Sequence, residues 1–164
     1  MGTNISCRFY LLLGDKICNQ GAIKPAFEPE PTAPVPPEMI RGKRILLVDD
    51  EESVRGAYGM MLSIDEHQVV EAGNGKEALE QFNKGPYDLV ITDFEMPVMK
   101  GGELATRLKQ LAPSLPILMI TAYGKEVGDP SNPVDAILNK PFTLEELRGA
   151  IAGVLKAKAE KLKS

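Results

Sequence analysis

The sequence predicts an α/β fold, a parallel sheet with helices on both faces. From Arg41 onward, short β-prone apolar runs alternate with segments of helical periodicity, a pattern that builds parallel sheets with right-handed crossovers. The clearest runs are apolar at consecutive positions, as strands buried on both faces are. Two of them end in aspartate, at the strand ends beyond which such open sheets bind ligands.

Arg44-Ile45-Leu46-Leu47-Val48 is the first strand, and Asp49 and Asp50 follow it. A helix is expected from Glu52 to Ser63, then a strand from Gln68 to Ala72. The Gly73-Asn74-Gly75 turn introduces a helix over about Lys76 to Asn83. Leu89-Val90-Ile91-Thr92 is the third strand and ends at Asp93. The next helix covers about Gly102 to Leu111, before Pro113 stops it. The fourth strand is Ile117 to Ile120 and the fifth Ala136 to Leu138. The last helix opens at Thr143, which forms a capping box with Glu146, and continues to about Ala157.

The 164 residues leave room for one ordinary domain and a tail. Residues 1–21 are too short and too weakly patterned for a core and are expected to be poorly ordered. Over residues 22–40, Pro25, Pro29, Pro31, Pro34, Pro36 and Pro37 recur among Ala, Glu and Thr, as in an extended linker. The domain is expected over residues 41–160, with a short tail at 161–164. Both cysteines, Cys7 and Cys18, lie upstream, which leaves the domain without a disulfide framework and suits a reducing cytoplasm. Cys18 to Gly21 resembles one knuckle of a zinc ribbon but lacks partner ligands. His67 reads as a surface turn residue.

Phe9 to Leu13 is apolar but too short for an export signal, and Asp15 and Lys16 interrupt it. No apolar run approaches the ~20 residues of a membrane span. A net charge of −4 argues against direct DNA binding, which needs a clustered basic surface. Lys156, Lys158, Lys161 and Lys163 have helical spacing and suit the negative end of the last helix.

The loops after the strands concentrate reactive side chains. Asp49 and Asp50 follow the first strand, Asp93 the third, Thr121 the fourth, and Asn139-Lys140-Pro141 the fifth. If the first and third strands are neighbours, three carboxylates share one crevice, and their repulsion favours a bound cation. Few hard oxygen ligands and an open side point to magnesium, since calcium wants a fuller cage. With magnesium and Lys140 neutralising charge, a phosphate can approach, and the Asp93 carboxylate can attack phosphorus in line to give an acyl phosphate. Each residue alone also has a structural reading, because acids after a strand cap helices and a single lysine is often only surface. Met96, Val98 and Met99 read as loop packing.

The motifs Leu46-Leu47-Val48-Asp49-Asp50-Glu51, Asp93-Phe94-Glu95-Met96-Pro97 continuing to Gly101, Ile120-Thr121-Ala122, and Lys140-Pro141-Phe142 together resemble the receiver domains of two-component response regulators. The resemblance covers about Gly42 to Leu155. It implies a flavodoxin-like, doubly wound five-stranded parallel sheet of order 2-1-3-4-5. It implies that Asp49, Asp50 and Asp93, with the main-chain carbonyl of Glu95, hold Mg2+, and that Asp93 is the phosphoacceptor. Lys140 would pair with the phosphoryl group or with Asp93 as a point charge. Thr121 would donate its hydroxyl to a phosphoryl oxygen, and the Lys140–Pro141 bond is often cis in this family. The phosphoryl donor would be a histidine kinase or a histidine phosphotransfer protein, and the output a further protein. No output domain is read after the last helix. The chain is expected to act as a switch rather than an enzyme, with self-catalysed phosphoryl transfer and slow autodephosphorylation only.

Three places differ from the family's usual pattern. Ile137 stands where an aromatic residue usually swings with the hydroxyl residue, so a relay through the Thr121 loop and Ile137 packing is expected instead. Gly124 to Pro133 holds Gly128, Pro130 and Pro133 and is short for a helix. The fourth helix should therefore be shortened or absent, and the protein a monomer in both states. Glu95 and Tyr123 flank the approach of water, which predicts a long-lived phosphoryl group. Two other functions are weighed. Haloacid-dehalogenase-type phosphatases also use an aspartyl nucleophile, but where their signature has a second aspartate this chain has Glu95. A pseudo-receiver acting as an interaction scaffold would keep the fold without the chemistry, and the intact acidic triad argues against it.

Overall fold

The computed structural model describes residues 40–122 and 133–163, all within the compact unit Val35–Ser164. The expectations for residues 1–39, for Tyr123 and for nearly all of the 124–133 stretch lie outside the described residues.

Among the described residues, the elements in order are β1 (Arg44–Val48), α1 (Glu52–Ser63), β2 (Gln68–Ala72), α2 (Gly75–Phe82), β3 (Leu89–Asp93), α3 (Gly101–Leu111), β4 (Ile117–Thr121), β5 (Ala136–Asn139) and α4 (Leu144–Lys163). Every strand pair is parallel, and the order is β2-β1-β3-β4-β5, as the resemblance implies. The winding reverses between β1 and β3, which puts the switch point at their carboxyl ends. No described helix is long and apolar enough to cross a membrane.

Strand periodicity sorts the core into two layers. Leu46, Val48, Val90 and Ile117 pack with Ala78 of α2 and with Leu104, Ala105 and Leu108 of α3. Their neighbours Ile45, Leu47, Leu89, Ile91, Leu118 and Ile120 pack with Leu62 of α1 and with Leu147, Ile151 and Val154 of α4. Truncating side chains buried this fully costs about 2–5 kcal/mol each. Burial on the sheet, more than helix propensity, therefore holds the short helices in place.

Local sequence sets where the helices start. Asn74 Oδ1 accepts the Glu77 N–H at 2.9 Å, and the Glu77 carboxylate accepts the Gly73 N–H at 2.8 Å, which caps α2. Thr143 and Glu146 form the expected box. The Thr143 N–H donates to Glu146 Oε2 at 2.7 Å, and the Glu146 N–H donates to Thr143 Oγ1 at 3.2 Å.

Two expectations need correction. The last helix does not end near Ala157 but runs to Lys163, through most of the residues assigned to a tail. No Gly or Pro follows Ala157 to stop it, and Ala, Lys, Glu and Leu all favour helix. His67 is not a surface residue. It is buried, and its Nδ1 accepts the Lys43 N–H at 3.1 Å, which requires the neutral ring. Burial lowers its pKa, outweighing the opposite pull of Asp65.

Candidate functional site

Parallel pairing brings the carboxyl ends of four strands to one edge. Val48 is in register with Thr92, so Asp49 leaves β1 beside Asp93. Asp93 is in register with Ile120, and Thr121 with Asn139. Lys140 therefore enters the same edge one residue beyond β5, where its N–H donates to the Thr121 carbonyl at 2.8 Å. The Lys140–Pro141 bond is cis.

Lys140 Nζ lies 2.7 Å from Asp93 Oδ1 and 3.6 Å from Asp49 Oδ2. Asp93 Oδ2 accepts the Glu95 N–H at 3.0 Å, and Asp49 Oδ1 accepts the Glu51 N–H at 2.9 Å. Asp49 Oδ2 is buried and has no hydrogen-bond partner among the described residues. Burial raises the pKa of Asp49 more than the Glu51 N–H and Lys140 lower it, and the charges of Asp93 and Asp50 add to the rise. Burial works against the Lys140 ammonium too. Its hydrogen bond to Asp93, with the charges of Asp93, Tyr58 and Asp49, outweighs that effect and raises its pKa.

Asp49, Asp93 and Lys140 thus meet as expected. Asp50 is exposed, although near enough to Asp49 to act on its charge. No three acidic, histidine or cysteine side chains form a ready-made metal cluster among the described residues. The Lys140 ammonium supplies the positive charge between buried Asp49 and half-buried Asp93. The donor set still suits a small hydrated divalent cation, because the orphaned Asp49 oxygen and exposed Asp50 leave acceptor capacity unfilled. Magnesium keeps several waters and needs only one or two carboxylates.

Thr121 is buried at the end of β4. The exposed Glu95 carboxylate pairs with Lys100 at 3.4 Å. Ile137 is 36% exposed.

Sequence reasoning missed what several neighbours of the site do. A Cβ on Gly101 would overlap the Asp93 carbonyl oxygen, so only glycine lets α3 begin against the Asp93 main chain. Met96 and Met99 are buried, as expected of loop packing, but Val98 is 93% exposed with φ +72°. The Met99 N–H donates to the Pro97 carbonyl at 2.8 Å, closing a γ-turn that is strained for a β-branched residue. Arg55 Nη1 donates to the Asp49 carbonyl at 2.7 Å and Nε to Glu71 at 3.1 Å. One turn later, the Tyr58 ring centroid lies 5.7 Å from Lys140 Nζ and 5.1 Å from the Phe142 ring. The one signal for this pair was helical, since residues three apart share a face.

Fold and site together define a doubly wound α/β protein with an acid–lysine pocket at its switch point. Residues 45–152 match the response regulator receiver domain. The chain is 36% identical over 116 residues to the response regulator receiver protein CpdR of Brucella abortus (strain 2308), covering 69% of this chain and 97% of that one. It is 31% identical over 120 residues to sporulation initiation phosphotransferase F of Bacillus subtilis (strain 168), covering 71% and 97%. Among solved structures, response regulator protein TrrA from Thermotoga maritima, in complex with Mg2+-BeF, matches with a TM-score of 0.61 at 37% identity, over 73% of this chain and 98% of that one. Other relatives are longer, and the chain spans 13% of one and 51% of another. The chain therefore belongs to the response regulator receiver family, the phosphoacceptor switches of two-component signalling.

Proposed function

We propose that this chain is a Mg2+-dependent switch in which Asp93 takes a phosphoryl group from a histidine kinase or a histidine phosphotransfer protein and so changes its binding to a further protein. The observation that carries this reading is the 2.7 Å Lys140–Asp93 pair beside an Asp49 oxygen without a hydrogen-bond partner among the described residues. The Mg2+-BeF complex of the Thermotoga relative and the phosphotransferase name of the Bacillus relative support it.

One carboxylate oxygen of Asp93 attacks the phosphorus of a phosphohistidine. The new O–P bond forms as the P–N bond breaks, and the imidazole leaves with the electron pair and takes up a proton from solvent. The Glu95 N–H holds Asp93 Oδ2 and fixes the carboxylate for in-line approach. Lys140 shifts its N–H donors from Asp93 to a phosphoryl oxygen, and the Thr121 hydroxyl donates to another. Asp49, Asp50, Asp93 and the Glu95 carbonyl would hold Mg2+, which neutralises charge on the transferring group. The exposed Glu95 carboxylate slows the approach of water, so the phosphoryl group is long-lived. Redistributing these contacts biases a pre-existing equilibrium, with coupling typically worth about 1–3 kcal/mol.

Acetyl phosphate with Mg2+ should label the purified chain, and Asp93→Asn should abolish the label. Label that survives in Asp93→Asn, or that ignores removal of magnesium by a chelator, would sink the assignment.

A further inference from the structure

The surroundings of Lys140 include a group that the reaction above does not use. Nζ faces Asp93 Oδ1 at 2.7 Å and Asp49 Oδ2 at 3.6 Å, and the Tyr58 ring lies 5.7 Å away. Tyr58 reaches this place from α1, where Arg55, one turn earlier, is tied to the Asp49 carbonyl. Phe142, two residues beyond the lysine, packs on the Tyr58 ring with 39° between the ring planes. Both rings rest against the cluster that joins the sheet to α1 and α4.

A ring face does something here that a third carboxylate could not. An ammonium has three N–H donors. A carboxylate confines it by consuming a donor, whereas an aromatic face attracts it through the ring quadrupole and leaves the donors free. Held between Asp93 and a ring, the ammonium keeps N–H groups available for incoming phosphoryl oxygens, and its long stem is restrained before the donor arrives. We propose that Tyr58 is a positioning residue for Lys140, holding the ammonium where it meets the phosphoryl group. This rests on the reading of Asp93 as phosphoacceptor given above.

The test is a cycle of initial labelling rates with Mg2+ and acetyl phosphate in the wild type, Tyr58→Leu, Tyr58→Phe, Lys140→Ala and the Tyr58→Leu/Lys140→Ala double variant. Tyr58→Leu should slow labelling by about tenfold, equivalent to about 1.4 kcal/mol. Tyr58→Phe, which keeps the ring, should restore the rate. In the Lys140→Ala background, Tyr58→Leu should change nothing further, because the group it acts through is gone.

Equal slowing in both backgrounds would make Tyr58 merely structural and overturn the proposal, as would a wild-type rate in Tyr58→Leu. A wild type that takes no label removes the Asp93 reading itself, and the proposal with it. If circular dichroism shows Tyr58→Leu unfolded, 13C-labelled tyrosine spectra decide. Lys140→Ala must shift the Tyr58 ring signal, assigned by its loss in Tyr58→Phe, and an unmoved signal overturns the proposal.

Discussion

The two edges of the sheet use the same residue types in opposite ways. At the edge where the strands begin, each carboxylate has partners of its own. Asp65 accepts from Nε and Nη2 of Arg148, both at 2.7 Å. Asp88 accepts the Arg44 N–H at 3.0 Å. Asp135 accepts from the Ile117 N–H at 2.9 Å and from Lys109 at 2.6 Å. At the edge where the strands end, Asp49 and Asp93 share Lys140, and one buried Asp49 oxygen lacks a hydrogen-bond partner among the described residues. Saturated carboxylates fasten strand starts and helix ends. Unsaturated ones destabilise the resting protein and leave capacity for a ligand.

Magnesium gives the largest test of that contrast. An excess of about a hundred times its dissociation constant should raise the unfolding free energy by about 2.7 kcal/mol. Urea titrations with and without the ion read the gain, which Asp49→Asn should lose and Asp65→Asn should keep. Equal gains in the two variants would break the comparison.

Without magnesium, the same two substitutions should act in opposite directions. Asp65→Asn removes a charged, bidentate pair and should lower stability by roughly 2 kcal/mol. Asp49→Asn removes a buried charge that sits beside other acids, and should raise stability by about 1 kcal/mol. If both variants prove less stable, the acidic pocket is as structural as the far edge.

The smallest effect is on pH dependence, and here too the edges differ in sign. Arg148 lowers the pKa of Asp65, so its stabilisation is present above the unfolded pKa and lost as pH falls through the folded one. Burial raises that of Asp49, so its contribution is present below the unfolded pKa and fades as pH rises through the folded one. His67, lowered mainly by burial, stabilises fully above its unfolded pKa of about 6.5 and progressively less as pH falls toward the folded value. In an Asp49→Asn background, acidification from about pH 7 to about pH 5 should therefore lower stability. His67→Gln should flatten even that, and an unchanged slope would assign the loss to another group.

Sequence alone revealed most of the active edge and little of the opposite one. β1, β3 and β4 are apolar at nearly every position because both faces are covered, so their ends, and hence Asp49, Asp93 and Thr121, could be placed by counting. The Asp65–Arg148 pair joins residues 83 apart, and no local pattern encodes such a contact. His67 was misread because a histidine just after a helix has no period to reveal its burial. Tyr58 escaped notice because it acts across α1, and Gly101, although part of the quoted motif, gave no sign of its role because it acts through an atom it lacks. The exposure of Asp50 and the lysine already seated between the acids depend on loop geometry, which composition does not fix.

Gly101 also has a mechanical meaning. Its N–H donates to the Phe94 carbonyl at 3.0 Å, and there is no room for a Cβ beside the Asp93 carbonyl, so α3 begins against the residue that would receive the phosphoryl group. Eleven residues make a rod of about 16 Å, and its far end, Leu111, is 60% exposed. A tilt of such a rod by about 4° about that end would swing the tip through about 1 Å, so a small adjustment beside Asp93 would show as a larger one at the surface.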